Sequence, residues 1–103
     1  MVIELLRVTC PKEKQAAFIQ RDSEVWTPGL AKHSGFLGKE VWVSPDKEDE
    51  VVLVIRWESM DHWRTFPAEW GPKLDEQMGD LVMPLACEAY EIALPNPFMN
   101  IKK

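Results

Sequence analysis

Runs of branched apolar residues alternate along this chain with segments in which apolar residues recur at helical spacing. The branched runs have the composition of β-strands, and they occupy residues 2–9, 36–44, 51–57 and 86–94. A charged turn that starts with Pro45-Asp46 separates the second run from the third. The pattern therefore predicts four strands, the middle two of which are joined by a turn.

Two helical regions lie between these strands. In residues 12–32 the apolar residues recur at helical spacing, and Pro28-Gly29 predicts a bend or a break. Ser59 is a good N-cap for the second region, which is interrupted near Pro67 and resumes over residues 72–81. We expect this broken second region to form the lid of a cleft.

The element order βαββαβ predicts an α+β fold. Right-handed crossovers favour the ferredoxin-like arrangement, an antiparallel four-stranded sheet with strand order 4-1-3-2. Helices can cover one face of such a sheet, yet the first strand carries Leu6 and Val8 on one face and Ile3 and Leu5 on the other. We therefore expect a second copy of the chain to cover the remaining face, which gives a two-fold homodimer.

Residues 1–94 contain all of these elements and form one predicted domain, as expected for a chain of 103 residues. The remaining residues, 95–103, begin with two prolines that stop the last strand, and they include Phe98, Met99 and Ile101. We expect this C-terminal tail to pack on the partner subunit.

The composition restricts the partners of this domain. A net charge of −5 argues against binding to nucleic acid, which needs a basic surface. The longest apolar run, residues 51–55, is too short to span a membrane, and the first residues lack the pattern of a signal peptide. Two histidines and two cysteines without ligand spacing indicate no metal site. We therefore expect a cytoplasmic protein that binds neither nucleic acid nor membrane.

Aromatic residues are the strongest candidates for a binding site. Five tryptophans are many for this length, and they favour either core packing or a pocket for a flat ligand. Trp63 and Trp70 flank the irregular segment at Pro67, where Phe66 also lies, so we expect them near a cleft. His62, in the first turn of the second helical region, is either a general base or a solvated surface residue.

Charged residues inside the strands form a second set of candidates. Arg56 lies near the end of the otherwise apolar third strand. It can hold an anionic oxygen of a ligand, or it can pair across the sheet with Glu4, Glu40 or Glu88. In the first strand, Glu4 and Arg7 are expected on opposite faces of the sheet.

The sequence SGFLGKEVW from Ser34, the following VVLVIRWES and the downstream Trp63 resemble the antibiotic biosynthesis monooxygenase superfamily. The resemblance covers most of residues 1–94 and is nearest to a group of uncharacterised cyanobacterial members. It implies a dimeric α+β barrel. Because the superfamily includes enzymes of several kinds, the resemblance defines the fold more narrowly than the activity.

Two groups of enzymes within this superfamily have catalytic residues that can be compared with this chain. Haem-degrading members use an Asn on the first strand, then a Trp and a His on the helix after the third strand. The corresponding residues here are Glu4, Phe66 and Glu76, so the resemblance implies no haem degradation. Quinone-forming members need no cofactor and hold a flat substrate with Asn, Trp, Tyr and Arg side chains. In this chain the Trp, Tyr and Arg side chains of this set are offered by Trp63, Tyr90 and Arg56, with Arg7 as a further candidate.

Together these features favour a homodimeric protein that binds a small apolar or aromatic ligand without a cofactor. Two alternatives stay open. One is a cofactor-independent monooxygenase acting on a phenol or quinol-like substrate, and the other is a structural or assembly subunit whose aromatic residues only pack. The candidate ligand-binding residues are Trp63, Arg56, Tyr90, Trp70, Phe66 and His62.

Overall fold

The computed structural model describes residues 1–94, in which helices cover one face of an antiparallel sheet. The elements are β1 (Val2–Thr9), α1 (Lys12–Ala31), β2 (Phe36–Val43), β3 (Glu50–Trp57), α2 (Met60–Arg64), α3 (Trp70–Met78), a 3-10 turn (Gly79–Leu81) and β4 (Leu85–Glu91). The four strands lie in the order β2-β3-β1-β4, which confirms the predicted ferredoxin-like fold and its order 4-1-3-2. The tail, residues 95–103, lies outside the described residues, so its packing on a partner stays a prediction.

α1 runs without interruption through Pro28, so the helix does not break at this position. Pro28 lies in the last turn, where the loss of one backbone hydrogen bond leaves the helix intact. The following Gly29 lets α3 approach closely, since a Cβ at this position would lie 2.8 Å from Leu74 Cδ1. The Pro-Gly pair therefore serves the contact between two helices.

Two other boundaries differ from the predicted ones. α3 begins at Trp70 instead of Pro72, because the first turn of a helix leaves its N–H groups unpaired and tolerates proline. β4 ends at Glu91, before the predicted end at Leu94. Neither difference changes the order of the strands.

The side chains of β1 alternate between the two faces of the sheet. Val8 packs in the core with Phe18 of α1, so its face of the sheet lies against the helices. The side chain of Glu4 lies on the same side of β1 as that of Val8, whereas Arg7 lies on the opposite side, as expected for these two charged residues. We call the side against the helices the helix face and the other side the open face.

A β-bulge at Leu37 reverses the alternation of β2. Phe36 lies opposite Trp57, but Gly38 already lies opposite Arg56, so two residue steps on β2 match one on β3. Leu37 is the extra residue. Every residue of β2 after the bulge therefore points to the face opposite to the one that regular alternation from Phe36 would give.

This reversal buries a charge. Lys39 lies opposite Ile55 on the helix face, and its Nζ is 2.5 Å from Oδ2 of Asp22 in α1. Both side chains are only 3% exposed. Buried charges of this kind persist where they are paired, and the pair ties α1 to the edge strand β2. Glu40 is directed by the same bulge to the open face.

No helix within residues 1–94 is long and apolar enough to cross a membrane. In the same part of the chain, Cys10 is buried, Cys87 is exposed and both thiols are free. Cys87 lies opposite Leu6 in the pairing of β4 with β1, and Cys10 follows the end of β1. Hydrogen bonds, and no disulfide, therefore join these two strands.

Gly35 forms the turn between α1 and β2. Its φ of +89° is a conformation that other residues rarely adopt, and a Cβ added there would lie 2.2 Å from Cγ of His62. His62 is itself held by the Ser59 cap, because its backbone N–H donates to Ser59 Oγ at 3.2 Å and its Nδ1 lies 2.7 Å from the same oxygen. The turn therefore requires glycine.

Replacing this glycine should be costly. We expect Gly35→Ala to lower the free energy of unfolding by roughly 2–4 kcal/mol, the combined cost of a positive φ and of overpacking against the ring. Gly71→Ala is the matched control, because Gly71 lies in α3 and its nearest side-chain contact is Trp26 at 4.0 Å. That change should cost much less, because no other side chain lies close to the added methyl group. Denaturant unfolding measures both, and equal stabilities would contradict the strain assigned to Gly35.

Candidate functional site

Two adjoining cavities lie between the helix face of the sheet and the helices. The first, of about 520 Å³, lies beneath α2 and the segment that joins α2 to α3. The second, of about 460 Å³, lies beside α1 and the start of β4. Glu4, Trp26 and Leu30 line both, so these three side chains separate the two cavities. Both volumes are in the range typical of small-molecule sites.

The first cavity is aromatic because four segments each contribute a ring to it. Trp26 comes from α1, Trp57 ends β3, Trp63 lies on α2 and Phe66 follows α2. Pro67 lines the same cavity at the point where the helical region is interrupted. The interruption thus turns the chain over the sheet and gives the cavity one of its walls.

Trp57 is the fixed centre of this aromatic wall. Its side chain is fully buried and meets His33 and Phe36 edge-on, with ring centroids 5.9 Å apart in each case. Phe66 meets the same ring at 6.3 Å. His33 Nε2 donates to the backbone carbonyl of His62 at 2.9 Å, which ties α2 to the end of α1. Edge-to-face contacts and this hydrogen bond hold the wall in one arrangement.

Glu4 places a carboxylate in these apolar surroundings. Its Oε1 accepts a hydrogen bond from Trp57 Nε1 at 3.0 Å. Burial raises the pKa of Glu4 above its ordinary value, although this hydrogen bond and the positive charge of Lys39 act in the opposite direction. A carboxylate with a raised pKa is a stronger proton acceptor than an exposed one, and such groups are common at functional sites.

The ion pair between Lys39 and Asp22 lies in the wall of the second cavity. Burial lowers the pKa of Lys39, while the neighbouring Asp22 carboxylate and, more weakly, Glu4 raise it. Opposite charges in contact offset one another. Within residues 1–94 Glu4 takes part in no ion pair, so its charge is the one that this buried region leaves unbalanced.

Two of the six candidate residues, Trp63 and Phe66, lie in the wall of the first cavity. Trp70 meets Phe66 edge-on at 5.4 Å and lines a separate groove of about 290 Å³. His62 packs over Gly35 and is bound to the Ser59 cap. The structure therefore brings Trp63 and Phe66 together at the first cavity and places Trp70 and His62 elsewhere.

Arg56 and Tyr90 lie on the open face, and the sheet separates them from both cavities. Arg56 Nη2 is 3.5 Å from Glu40 Oε1, so of its three candidate partners Arg56 takes Glu40. The Tyr90 hydroxyl donates to Glu88 Oε1 at 3.2 Å. Within one chain, the two residues therefore do not reach a ligand bound beside Trp63.

The charged residues on the helix face were not recognised as site residues from the sequence. Asp22 carries a signal in retrospect, because it occupies the buried helical stripe between Phe18 and Val25. Glu4 is likewise a charge at an inward position of an apolar strand. Lys39 offers no such signal, since regular alternation from the start of β2 places it on the open face and only the bulge turns it inward.

Within residues 1–94 no group of three or more His, Cys, Asp or Glu side chains is arranged to hold a metal ion. The polar side-chain groups of the residues that line the first cavity are the Glu4 carboxylate, the indole N–H groups of three tryptophans and the exposed Arg64 guanidinium. These groups can form hydrogen bonds to a ligand and exchange a proton with it. The aromatic rings can hold a flat molecule by stacking or edge contacts.

Solved structures of low sequence identity share this fold over almost their whole length. SnoaB, a cofactor-independent oxygenase from Streptomyces nogalater, is 18% identical with a TM-score of 0.72, over 93% of this chain and 96% of its own. The monooxygenase ActVA-Orf6 of Streptomyces coelicolor, solved with nanaomycin D, is 17% identical with a TM-score of 0.72, over 92% of each chain.

A dimeric ferredoxin-like protein from an uncultured marine organism also shares the fold. It is 14% identical with a TM-score of 0.72, over 92% of this chain and 96% of its own. At these identities the likeness shows the fold alone. No functionally curated protein matches the chain, and the narrower likeness to cyanobacterial proteins stays a prediction.

The sequence itself gives the more specific match. The family model for antibiotic biosynthesis monooxygenases matches residues 1–68, which include β1, α1, β2, β3 and α2. This stretch contributes Glu4 and the four aromatic rings of the first cavity. The chain belongs to the antibiotic biosynthesis monooxygenase family.

Proposed function

We propose that this protein binds a small, flat aromatic molecule in the first cavity. The supporting observation is that the rings of Trp26, Trp57, Trp63 and Phe66 line a space of about 520 Å³ together with a single carboxylate, that of the half-buried Glu4. Apolar walls with few polar groups are typical of small-molecule sites, and the volume is within their usual range.

The existing ring contacts support binding of a flat ligand. Trp57 is fully buried and held edge-on by its neighbours, so it supports the half-buried ring of Phe66 in a fixed position. A preformed wall lowers the conformational entropy that the protein must lose when a ligand binds. The third alternative, in which the aromatic residues only pack against one another, leaves this space without a role.

The protein forms a homodimer through its open face. Trp42 and Tyr90 are 48% and 50% exposed there, beside the paired charges of Arg7 and Glu88. The inner residues of this face need less burial by a partner subunit than the sequence indicates, since Val54 is already buried within one chain. The exposed rings are the surface that a partner would cover, and the structural relative described as dimeric supports this arrangement.

A second candidate function is cofactor-independent oxygenation of a phenol, which the proton-accepting carboxylate of Glu4 favours. Removing the hydroxyl proton makes a phenol a stronger electron donor toward dioxygen. The phenol then loses one ring hydrogen and gains one oxygen atom to become a quinone, while the second oxygen leaves as water. Two structural relatives are named as an oxygenase and a monooxygenase.

Filling the first cavity should abolish binding without unfolding the chain. Ala89 lines the cavity and lies opposite Glu4 on the helix face, in the edge strand β4. We expect Ala89→Phe to weaken binding of 1-naphthol at least about tenfold, a change of 1.4 kcal/mol. Ala17→Phe, on the exposed side of α1, is the matched control and should bind normally. Calorimetry without oxygen measures both affinities, and equal affinities would contradict the site.

The open face can be tested by placing a charge on it. We expect Trp42→Glu to convert the dimer to a monomer, because a carboxylate that is buried in the interface loses its hydration. Val43→Glu is the matched control, since Val43 is the next residue of β2, is 59% exposed and has the opposite facing. Sedimentation measures the masses. A native monomer, or a Trp42→Glu dimer, would refute the interface.

The oxygenase candidate predicts that 1-naphthol and dioxygen are consumed in equal amounts as 1,4-naphthoquinone forms. Oxygen uptake and chromatography measure the two quantities. The Ala89→Phe variant should show the rate of the buffer alone. If 1-naphthol binds but no oxygen is consumed by it or by related phenols, the oxygenase function is refuted and the binding function stands.

A further inference from the structure

We infer that the first cavity selects neutral hydroxylated aromatic molecules and rejects aromatic carboxylates, with Glu4 as the residue that makes the distinction. This inference rests on the proposed binding function and narrows its ligand class. It depends on the charge that surrounds the ligand, on the hydrogen-bonding capacity left on Glu4 and on the position of the second charged residue.

The buried ion pair determines which charge a ligand meets beside Glu4. Lys39 is a buried cation on the helix face, but its Nζ is 2.5 Å from the Asp22 carboxylate, which offsets it. Glu4 is not part of an ion pair among the described residues. An aromatic carboxylate entering beside Glu4 would therefore meet a like charge in a region that water screens poorly.

The Glu4 carboxylate has hydrogen-bond acceptor positions that Trp57 does not occupy. An ionised carboxylate has about four acceptor positions, and Trp57 Nε1 fills one of them at 3.0 Å. A ligand hydroxyl can fill another and forms a charge-assisted hydrogen bond, which is stronger than a neutral one. A ligand ether of the same shape offers no donor and gains nothing there.

Arg64 makes the remaining alternative, a cationic ligand, less favourable. It is the other charged residue among the described residues that line the first cavity, and it is exposed on α2. An aromatic ammonium would be attracted by Glu4 but repelled by Arg64, whereas a neutral hydroxyl compound meets neither penalty. The pair of opposite charges thus favours a neutral ligand with a donor group.

Three naphthalenes of matched shape test this selectivity: 1-naphthol, 1-methoxynaphthalene and 1-naphthoate. Their affinities for the whole chain are measured by calorimetry at pH 7 without oxygen. We expect 1-naphthol to bind at least about tenfold more tightly than either of the others. Glu4→Leu should remove the preference for 1-naphthol over the ether, and Glu4→Gln should reduce the preference over 1-naphthoate at least about tenfold.

The stability of Glu4→Gln checks that the variant is folded and that burial acts on Glu4 as described. Because burial raises the pKa of Glu4, the ionised side chain opposes folding at neutral pH and the protonated one does not. Glu4→Gln should therefore resist denaturant better than the native chain at pH 7. This advantage should shrink as the pH falls through the raised pKa toward 4.5, the ordinary glutamate value. Glu13→Gln, exposed on α1, should leave the selectivity unchanged.

The outcomes separate this inference from the function on which it rests. If 1-naphthoate or the ether binds the native chain as tightly as 1-naphthol, or if Glu4→Leu keeps the preference for 1-naphthol, the selectivity assigned to Glu4 is refuted while aromatic binding stands. A tighter affinity for 1-naphthylmethylammonium than for 1-naphthol would also refute it. If none of these compounds binds, the proposed function itself is refuted.

Discussion

The buried ion pair between Lys39 and Asp22 is the interaction on which the helix side of this molecule depends. It joins the edge strand β2 to α1 in a region from which water is largely excluded, with both side chains 3% exposed. Removing one member of such a pair typically costs about 3–5 kcal/mol, because the other charge stays buried without a partner. The pair exists only because the bulge at Leu37 turns Lys39 away from the open face. One irregular residue in a strand thus determines both the packing of the helix and the charge of the cavities.

The same pair explains why Glu4 is the polar group that defines the site. With Lys39 offset by Asp22, the carboxylate of Glu4 keeps a charge that burial disfavours and that one indole N–H only partly compensates. A residue that opposes folding in this way is expected where function requires it, since natural proteins commonly lose stability at their functional sites. The aromatic wall around Trp57 supplies the complementary property, a rigid apolar surface that does not depend on a ligand for its arrangement.

The fold was accessible from the sequence because its signals are local and consistent. Branched runs, a capped helix start at Ser59 and the order βαββαβ lead to one sheet topology once right-handed crossovers are required. The opposite facing of Glu4 and Arg7 followed from simple alternation. The lining of the first cavity by Trp63 and Phe66 agrees with their position beside the interruption at Pro67.

The rest of the site required tertiary information. Arg56 and Tyr90 are residue types found in quinone-forming relatives, but strand register places both on the open face. Lys39 cannot be recognised as an inward-pointing residue until the bulge is known. A single extra residue reverses the side-chain direction of every residue that follows it in the strand. Trp70 and His62 lie on short helical pieces whose rotation is set by contacts with Phe66 and Gly35, and sequence spacing does not specify those contacts.

The most direct test of this account is a crystal structure of the protein grown with 1-naphthol in the absence of oxygen. We expect the naphthalene ring to lie between the helix face and α2, against Trp57, Trp63 and Phe66, with its hydroxyl within hydrogen-bond distance of the Glu4 carboxylate. A ring bound on the open face beside Arg56 and Tyr90, or one in the first cavity with its hydroxyl turned away from Glu4, would contradict it.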